Sequence, residues 1–523
     1  SSTYRSRNEQ VVMVSSRGVV TPVQDGSTEI VIATGHGNQS IAVEVQGLAA
    51  PLPISFRREI QPILTKAACN SGGCHGKAEG QNGFRLSLLG FDDEFDFAAV
   101  AKESRGRRIN PASPETSLFL RKATGIVPHG GGYKVPLNGM WYAKILRWIS
   151  EGAELDGTAD ADEVRLEIYP ESTELLPGGT QQLQVFAVTR DGFRTCVTNE
   201  AEFISNETDV AEVNSMGWVQ VRNVPGESAI LARYRGSVAV ARIRLPQELE
   251  ISRPSENNQI DTLIWDRLEL LGIQPSELSG DSEFLRRVFI DTIGTLPSSV
   301  EAREFLEDEN PDKRGQLILR LLEREEYADF WAMQWADILR VDRELIQPIG
   351  TIAMTRWLRE QFLQNRPYDE FVREILTATG STQSQSPAAF YLVHNNSEKL
   401  ARSVSQVFLG VRIECAQCHH HPFEKWGQRD YYAFAGFFTG ISQKTVAGQG
   451  IKIVNGVSKH LVHPRTGQPV PVAGLGSDEA HVVDVRSWRP LLAQWMTAKD
   501  NPFLARMFVN RLWAHYFGHG LAN

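Results

Sequence analysis

The sequence predicts a multidomain protein of mixed class, in which two all-β sandwiches alternate with mainly α-helical regions. Its 523 residues suggest three or four domains at roughly 150 residues each. Residues 1–50 and 163–247 alternate apolar and polar positions between Gly and Asn turns, a pattern typical of strands. Residues 53–155 and 257–440 place apolar side chains at helical spacing instead.

Composition and charge exclude several classes of protein. Hydrophobic residues make up 41% of the chain and charged residues 22%, which is ordinary for globular protein and excludes a mainly disordered chain. No run of about 18 apolar residues occurs, so we expect no transmembrane segment. The 54 basic and 63 acidic side chains give a net charge of −9 with no basic stretch, so nucleic acid is not an expected partner.

The two β regions repeat one another. Residues 14–18 (VSSRG) align with 213–217 (VNSMG), and residues 25–30 (DGSTEI) align with 225–230 (PGESAI). A spacing near 200 residues indicates a duplicated domain, because solenoid periods are far shorter. Both copies resemble the bacterial group-2 immunoglobulin-like domain, a small β-sandwich of surface and periplasmic proteins, and the first lacks its leading half. Cys196 falls in the second copy, where we expect a buried apolar residue or an inert thiol.

Residues 53–155 are predicted to begin and end with amphipathic helices. Ser55 is a helix cap at the start, and Gly152 ends the last helix. The apolar positions of both helices recur every three or four residues: Phe56, Ile60, Ile63 and Leu64, then Trp141, Ile145, Trp148 and Ile149.

The C-terminal half is predicted to be helical up to about residue 440. There Ser397 can cap a helix that leads to Cys415. Residues 441–487, rich in Gly, Val and Pro, predict a small β excursion. Residues 488–523 predict one long helix over about 488–517, which we interpret as the start of a domain that the chain cuts short.

Residues 415–419, Cys-Ala-Gln-Cys-His, form the C-x-x-C-H pattern of haem attachment. Two thiols at this spacing can add to the two vinyl groups of one haem, while the adjacent histidine reaches the iron. A zinc site with His420 or His421 is the alternative, although zinc usually needs a second cysteine pair or an H-x-x-x-H partner. A redox C-x-x-C would sit in a βαβ setting, which is absent here.

A second cysteine pair, Cys69 and Cys74, precedes His75 with four residues between the thiols. The intervening Asn-Ser-Gly-Gly is flexible enough to loop out while both thiols reach one porphyrin. An amphipathic helix before the site and another about 70 residues later match small class I cytochromes c. A local disulfide or a zinc knuckle is the alternative interpretation.

The distal ligand of the first site is predicted to be His129, with Met140 as the alternative. The methionine ligand of small cytochromes usually lies well ahead of the last helix. His129 fits that position better than Met140, which lies at the helix start. Ligation by two histidines would give a lower reduction potential than ligation by histidine and methionine.

The distal ligand of the second site is predicted to be His515, because His421 is tethered too close to His419 to reach the opposite face of one ring. Three further candidates follow it: His394, His460 and His463. A five-coordinate iron is the remaining possibility, and an open position would allow reaction with peroxide, oxygen or nitrogen oxides.

Residues 53–155 resemble the planctomycete cytochrome-c-like domain that carries a C-x4-C-H site and a His-Gly-Gly-Gly turn. Residues 257–440 resemble its companion, a helical domain of unknown function, and residues 501–523 the opening of a third, uncharacterised domain. The sequence departs from the family at Gln334, where such proteins often place a histidine between two tryptophans. The stretches that carry the resemblance are 286–297, 404–411, 415–423, 430–432 and 509–518.

The resemblance implies two covalently attached haem c groups. The predicted fold is therefore two immunoglobulin-like sandwiches, an α-helical class I-like cytochrome c domain and a larger, mainly α haem domain. Because bacteria attach haem c outside the cytoplasm, we expect a periplasmic or cell-surface protein. The chain opens at Ser1 without a signal peptide, so we interpret it as a mature or trimmed product.

The leading functional hypothesis is a two-haem c-type cytochrome that transfers electrons to or from a redox partner protein. The first alternative is a haem-dependent periplasmic oxidoreductase acting on an envelope or polysaccharide-derived substrate. The second is a surface assembly or adhesion protein, capable of self-assembly, whose haems are accessory. The sandwiches themselves carry no chemistry.

Overall fold

A computed structural model gives the fold of the chain and describes residues 3–16, 18–35, 37–50, 52–77, 79–157, 164–247, 249, 251–394, 396–419, 421, 424–447, 450–478, 480 and 486–522. The chain divides into two compact units. The first contains Ser1–Val164 and Ala187–Glu202, and the second contains Arg165–Phe186 and Phe203–Asn523.

The N-terminal β region of the first unit has five strands: β1 (Thr3–Ser6), β2 (Val12–Val14), β3 (Val20–Pro22), β4 (Gly26–Thr34) and β5 (Gly37–Val45). β1, β4 and β5 form one antiparallel sheet, and β2 pairs with β3. Its small core consists of Val11, Val12, Ile30 and Val45.

The helical part of the first unit contains α1 (Gln61–Lys66), α2 (Asp93–Phe97), α3 (Leu118–Ala123) and α4 (Met140–Ser150). A π-helical turn, Phe56–Ile60, leads into α1, and the Ser55 hydroxyl accepts a hydrogen bond from the Arg58 N–H. The predicted Ser55 cap is therefore confirmed. Trp148 of α4 is buried against Phe56, with ring centres 5.3 Å apart, and this contact joins the two ends of the segment.

Ten strands follow between residues 165 and 245: β6 (Arg165–Tyr169), β7 (Ser172–Glu174), β8 (Thr180–Gln182), β9 (Gln184–Val188), β10 (Arg194–Cys196), β11 (Glu202–Ser205), β12 (Ala211–Val213), β13 (Trp218–Val221), β14 (Gly226–Tyr234) and β15 (Ser237–Leu245). β11, β14, β15 and β7 form one sheet, and β12, β13 and β8 form another. Cys196 is exposed, so the expectation of a buried residue at this position is wrong, and that of an inert thiol stays a prediction.

The β14–β15 hairpin repeats the β4–β5 hairpin in length and register. Gly226 pairs with Leu245, as Gly26 pairs with Val45. Both glycines have φ near +150°, and a Cβ on either would lie 3.2 Å from a valine methyl. The two hairpins agree with the predicted duplication.

The rest of the second unit is mainly helical. Its helices are α5 (Gln259–Leu271), α6 (Asp281–Ile293), α7 (Ser299–Glu307), α8 (Lys313–Leu322), α9 (Glu325–Ile338), α10 (Arg343–Ile346), α11 (Pro348–Leu363), α12 (Tyr368–Thr377), α13 (Phe390–Val393), α14 (Ser397–Val404), α15 (Gln428–Gly436), α16 (Arg489–Met496) and α17 (Leu504–Phe517). The cap of α14 is Asn396, whose side chain accepts from the Lys399 N–H, and the predicted cap, Ser397, is the first helical residue.

The region after α15 contains short strands, as predicted: β17 (Ile441–Val446), β18 (Gly450–Asn455), β19 (Leu461–Val462) and β20 (Pro469–Val470), with β16 (Gly380–Ser381) added to β18. The prediction of one helix over 488–517 is wrong, because α16 and α17 are separate. Between them, Asn501 Oδ1 accepts from the N–H groups of Phe503 and Leu504, and Pro502 lacks an N–H to continue a helix.

Candidate functional site

The candidate site of the first unit is built on the loop that follows α1. The Cys69 N–H donates to the Leu64 carbonyl (2.8 Å), and the His75 N–H donates to the Cys69 carbonyl (3.0 Å). These bonds fold the four residues between the cysteines into a compact turn. At Gly76 a Cβ would lie 1.9 Å from the Asn70 carbonyl oxygen, so only glycine allows the chain to close behind His75.

His75 has one ring nitrogen engaged by the protein. Its Nδ1 lies 2.9 Å from the Phe84 carbonyl oxygen, and a carbonyl only accepts, so Nδ1 carries the proton and Nε2 carries the lone pair. Burial lowers the pKa of His75, and the nearby His129 and Arg108 lower it further. The imidazole is therefore held neutral, the form that binds metals.

His129 makes the same kind of hydrogen bond to a backbone carbonyl as His75. Its Nδ1 donates to the Gly132 carbonyl at 2.8 Å, which again leaves Nε2 with the lone pair. The rings of His75 and His129 are 6.2 Å apart between centres and within 7° of parallel. A metal ion bound by the Nε2 atoms of two imidazoles holds their ring centres about 6 Å apart, since each metal–nitrogen bond is about 2 Å and each nitrogen lies at the edge of its ring. The separation of His75 and His129 is of this size.

A cavity of about 540 Å³ lies at these two histidines, within the usual size of a cofactor site. Both cysteines and both histidines line it, and Met140 is not among the described lining residues. Its apolar wall contains Phe84, Leu118, Phe119 and Ala123, and its cationic groups are Arg107, Arg108, Lys122 and Lys134.

These residues fit a haem. The apolar wall suits a porphyrin face, the cations suit its two propionates, and the thiols adjoin the same space as the two imidazoles. Cys69 and Cys74 are free cysteines, so the structure does not support a local disulfide. Burial raises the pKa of Cys69 to about 11, which keeps this thiol protonated at neutral pH.

The C-x-x-C-H residues of the second unit lie on a short turn, Glu414–Gln417, and on the two residues that follow it. Cys415 and Cys418 are exposed, and His419 is half-buried. The N–H groups of Cys418 and His419 both donate to the Cys415 carbonyl (3.3 Å each). The Gln428 amide of α15 donates to the carbonyls of Gln417 and Cys418 (3.1 Å each), which fixes the turn against that helix.

The zinc alternative for this site names His420, which lies outside the described residues, and His421. His421 is described, and its N–H donates to the Trp426 carbonyl at 2.8 Å. Within the part of the chain that the structure describes, no three His, Cys, Asp or Glu side chains converge in a group that could hold a metal ion.

His515 lies against α6 and α9. Its Nε2 is 2.8 Å from the Asp291 carbonyl, and its ring centre is 4.8 Å from that of Trp331. Iron ligation by Nε2 would require this hydrogen bond to break. His515 stays a prediction for the distal ligand of the second site, and a bond from its Nε2 to iron would replace the hydrogen bond to Asp291.

The other three candidates occupy different surroundings. His460 packs against Trp488. His463 lies near Tyr432 (6.3 Å between ring centres), but its Nδ1 accepts from the Arg465 N–H, which leaves the proton on Nε2. His394 is half-buried, and its Nε2 has no hydrogen-bond partner in the part of the chain that the structure describes. The second distal ligand stays open among these residues.

Sequence reasoning missed the groups that orient the two histidines of the first site. The Phe84 carbonyl fixes His75, and Arg108 donates to the Gly83 and Ala99 carbonyls (2.7 and 2.8 Å) while lying 4.6 Å from the Phe84 ring. Backbone acceptors leave no sequence signal. Gly131, in contrast, belongs to the His-Gly-Gly-Gly turn that the sequence displays.

Family models match three parts of the chain. Residues 1–47 match a bacterial Ig-like domain. Residues 259–443 match PSCyt2, described as a protein of unknown function (DUF1549), and residues 488–523 match PSD1, a protein of unknown function (DUF1553). The predicted N-terminal immunoglobulin-like domain is confirmed, as is the resemblance of the helical and C-terminal regions to uncharacterised families.

No curated protein matches the chain in sequence. Solved structures that align with parts of it include surface layer protein SbsC domains 1–6 (11% identity, TM-score 0.14, 47% of this chain and 20% of that one) and S-layer protein rSbsC(31–844) (11%, 0.15, 54% and 24%). The chain thus spans about a fifth to a quarter of those proteins, and such scores say nothing about its function. Among the described residues, no helix is long and apolar enough to cross a bilayer.

Proposed function

We propose that residues 53–155 bind a haem c through Cys69 and Cys74, with His75 and His129 as axial ligands. We further propose that the chain is a two-haem c-type cytochrome that carries out electron transfer in the bacterial envelope. The observation that carries the proposal is the parallel pair of imidazoles, 6.2 Å apart between centres, beside two free thiols.

The bound haem would supply a one-electron iron couple, and the protein sets its environment. Phe84 and Gly132 fix the tautomers of His75 and His129 through their carbonyls, so each Nε2 carries the lone pair that binds a metal. Two histidine ligands favour a lower potential than a histidine–methionine pair. The cationic side chains of the cavity offset the charge of the propionates.

The second haem is proposed at Cys415, Cys418 and His419. Support comes from the C-x-x-C-H spacing and from the exposed thiols, which the attachment reaction needs to reach. Export to the periplasm or cell surface follows from the proposed haem c, and the match to a bacterial Ig-like domain supports it. A redox partner protein would accept or supply the electron.

Haem counting tests both attachment sites. The full chain, produced in a host that attaches haem c, should contain two covalent haems by pyridine haemochrome assay. Cys69→Ala/Cys74→Ala and Cys415→Ala/Cys418→Ala should each contain one, and Cys196→Ala, which removes the exposed thiol of β10, should retain two. A count of two in the Cys69→Ala/Cys74→Ala protein would overturn the first site.

Carbon monoxide binding tests the axial pair. In His129→Ala the first haem should lose its sixth ligand and bind carbon monoxide when reduced. Met140→Ala is the matched control, because Met140 is exposed at the start of α4, and it should leave the spectrum unchanged. If His129→Ala keeps the low-spin spectrum and potential of the original protein, the assignment of His129 is wrong.

A further inference from the structure

A second cavity, of about 670 Å³, lies within the second unit. The ends of α9 and α13, one face of α14 and the side of α17 enclose it. Its described lining residues are Ile338, Arg340, Val393, His394, Lys399, Arg402, Ser403, Gln406, Val407, Glu414 and Arg511.

The charge of this lining is strongly unbalanced. Four side chains are cationic, Arg340, Lys399, Arg402 and Arg511, and Glu414 is the one carboxylate among the described lining residues. Arg402 forms an ion pair with Glu414, so three cationic side chains remain without a carboxylate from the lining. Like charges gathered in one cavity repel each other unless an anion binds among them.

Three nitrogen atoms of this lining are buried and have no hydrogen-bond partner among the residues that the structure describes: Arg402 Nε, Arg511 Nη1 and His394 Nε2. Leaving a buried donor unpaired is costly, and such groups usually have a partner in the functional state. Their convergence on one cavity is the main observation, because any single unpaired atom would carry little weight.

Arg511 is held in place by two neighbouring residues, Val407 and Trp335. Its Nη2 donates to the Val407 carbonyl at 2.9 Å, and its guanidinium lies 5.2 Å from the Trp335 ring centre. One edge of the guanidinium is thereby fixed, and Nη1 is left over. A planar guanidinium positioned in this way is suited to a carboxylate, sulfate or phosphate oxygen.

His394 adds a neutral donor or acceptor to the cationic set. Burial lowers its pKa, and Arg340, Lys399 and Arg402 lower it further. At neutral pH the ring is therefore uncharged, and it can bond to either a protonated or an ionised oxygen of a ligand.

We propose that this cavity is a binding site for an oxyanionic group, held by Arg402 and Arg511 with His394 beside them. Two sources share that chemistry: a free small oxyanion, and the propionates of a haem attached at Cys415 and Cys418. Cys415 follows the lining residue Glu414 directly. The proposal does not rest on the haem of the first unit, and the free-anion form needs no haem at all.

Calorimetric titration of the full chain with inorganic phosphate at low ionic strength tests the proposal. It is carried out on the protein as isolated and on Cys415→Ala/Cys418→Ala. In whichever of these two proteins binds phosphate, we expect Arg511→Gln and Arg402→Gln to weaken the binding at least tenfold. Arg366→Gln is the matched control, because this exposed arginine pairs with Glu370 outside the cavity, and we expect less than a twofold change.

The two sources give different results. A free-anion site binds phosphate equally in both proteins, whereas a propionate site binds it only in Cys415→Ala/Cys418→Ala. Should Arg511→Gln fail to fold by circular dichroism, Lys399→Gln, at an exposed position of α14, replaces it with the same expectation. No phosphate binding in either protein, or binding that the cavity variants leave unchanged, overturns the proposal, and both results are independent of the haem count.

Discussion

The imidazoles of His75 and His129 lie within 7° of parallel, with 6.2 Å between ring centres. Each donates its Nδ1 proton to a backbone carbonyl, of Phe84 in one case and of Gly132 in the other. Hydrogen bonds of this kind set which ring nitrogen carries the lone pair and fix the ring plane. Both rings line one cavity, although they come from segments that are distant in sequence, and both are therefore available to the proposed haem.

Gly131 gives a sharp test of this arrangement. A Cβ at Gly131 would lie 3.0 Å from His129 Cε1 and 3.2 Å from its Nε2, which is tight enough to displace the ring. We therefore expect Gly131→Ala to loosen the bond between His129 and the iron of the first haem, with a partial high-spin spectrum and more carbon monoxide binding than the original protein shows.

Gly130→Ala is the matched control, because a Cβ at Gly130 meets nothing within 4 Å. Both substitutions stiffen the same turn and add the same methyl group, so a general effect on the loop would affect both proteins. Equal spectra for Gly130→Ala and Gly131→Ala would contradict the proposed role of the His129 ring.

Local sequence signals predicted much of this molecule. The Ser55 cap and the apolar spacing around Trp148 depend only on neighbouring residues, and both agree with the structure. The repeat of β4–β5 in β14–β15 was visible because Gly26 and Gly226 begin their strands with a positive φ that disfavours other residues. The choice of His129 over Met140 rested on distance from the last helix, and the structure brings His129 to the cavity with His75.

Contacts between residues far apart in the chain could not be predicted from local sequence patterns. The long apolar pattern over 488–517 concealed the break at Asn501, where a side-chain cap starts a new helix. The partner of His515 is a backbone carbonyl of a residue far away in sequence, Asp291. The second cavity is lined by residues from α9, α14 and α17. The positions of its arginines in the sequence do not indicate that these side chains lie close together.

Cys69 should react slowly with alkylating reagents in protein without haem. Its pKa is raised to about 11, mainly by burial, so at pH 8 only about one thiol in a thousand is ionised. We expect Cys69 to react with iodoacetamide at least tenfold more slowly than the exposed Cys196, and the rate to rise as the pH approaches 11.

Peptide mass spectrometry after timed labelling measures both cysteines in one sample, so Cys196 serves as the internal control. Circular dichroism of the same sample establishes that the haem-free chain is folded. Equal labelling rates for Cys69 and Cys196 in folded protein would show that Cys69 is not shielded in the way its burial indicates.

Asp156 should control the stability of the first helical turn. Its carboxylate accepts hydrogen bonds from the Ser55 hydroxyl (2.6 Å) and from the N–H groups of Phe56 and Arg57 (3.1 and 2.8 Å). It lies one residue beyond the predicted end of the segment at 155 and joins its two ends. Hydrogen bonds to a charged acceptor contribute about 1.5–3 kcal/mol each, and a carboxylate also stabilises a helix N-terminus.

We therefore expect Asp156→Ala to destabilise this turn by about 3 kcal/mol, since the three bonds are not additive. Hydrogen–deuterium exchange of the Phe56–Ile60 amides should accelerate roughly 100-fold, because a factor of ten corresponds to about 1.4 kcal/mol. Glu9→Ala, which removes an exposed carboxylate elsewhere in the unit, should leave these rates unchanged. Unaltered exchange in Asp156→Ala would mean that solvent replaces the carboxylate at no cost, and that other contacts, such as the one between Phe56 and Trp148, hold the two ends of the segment together.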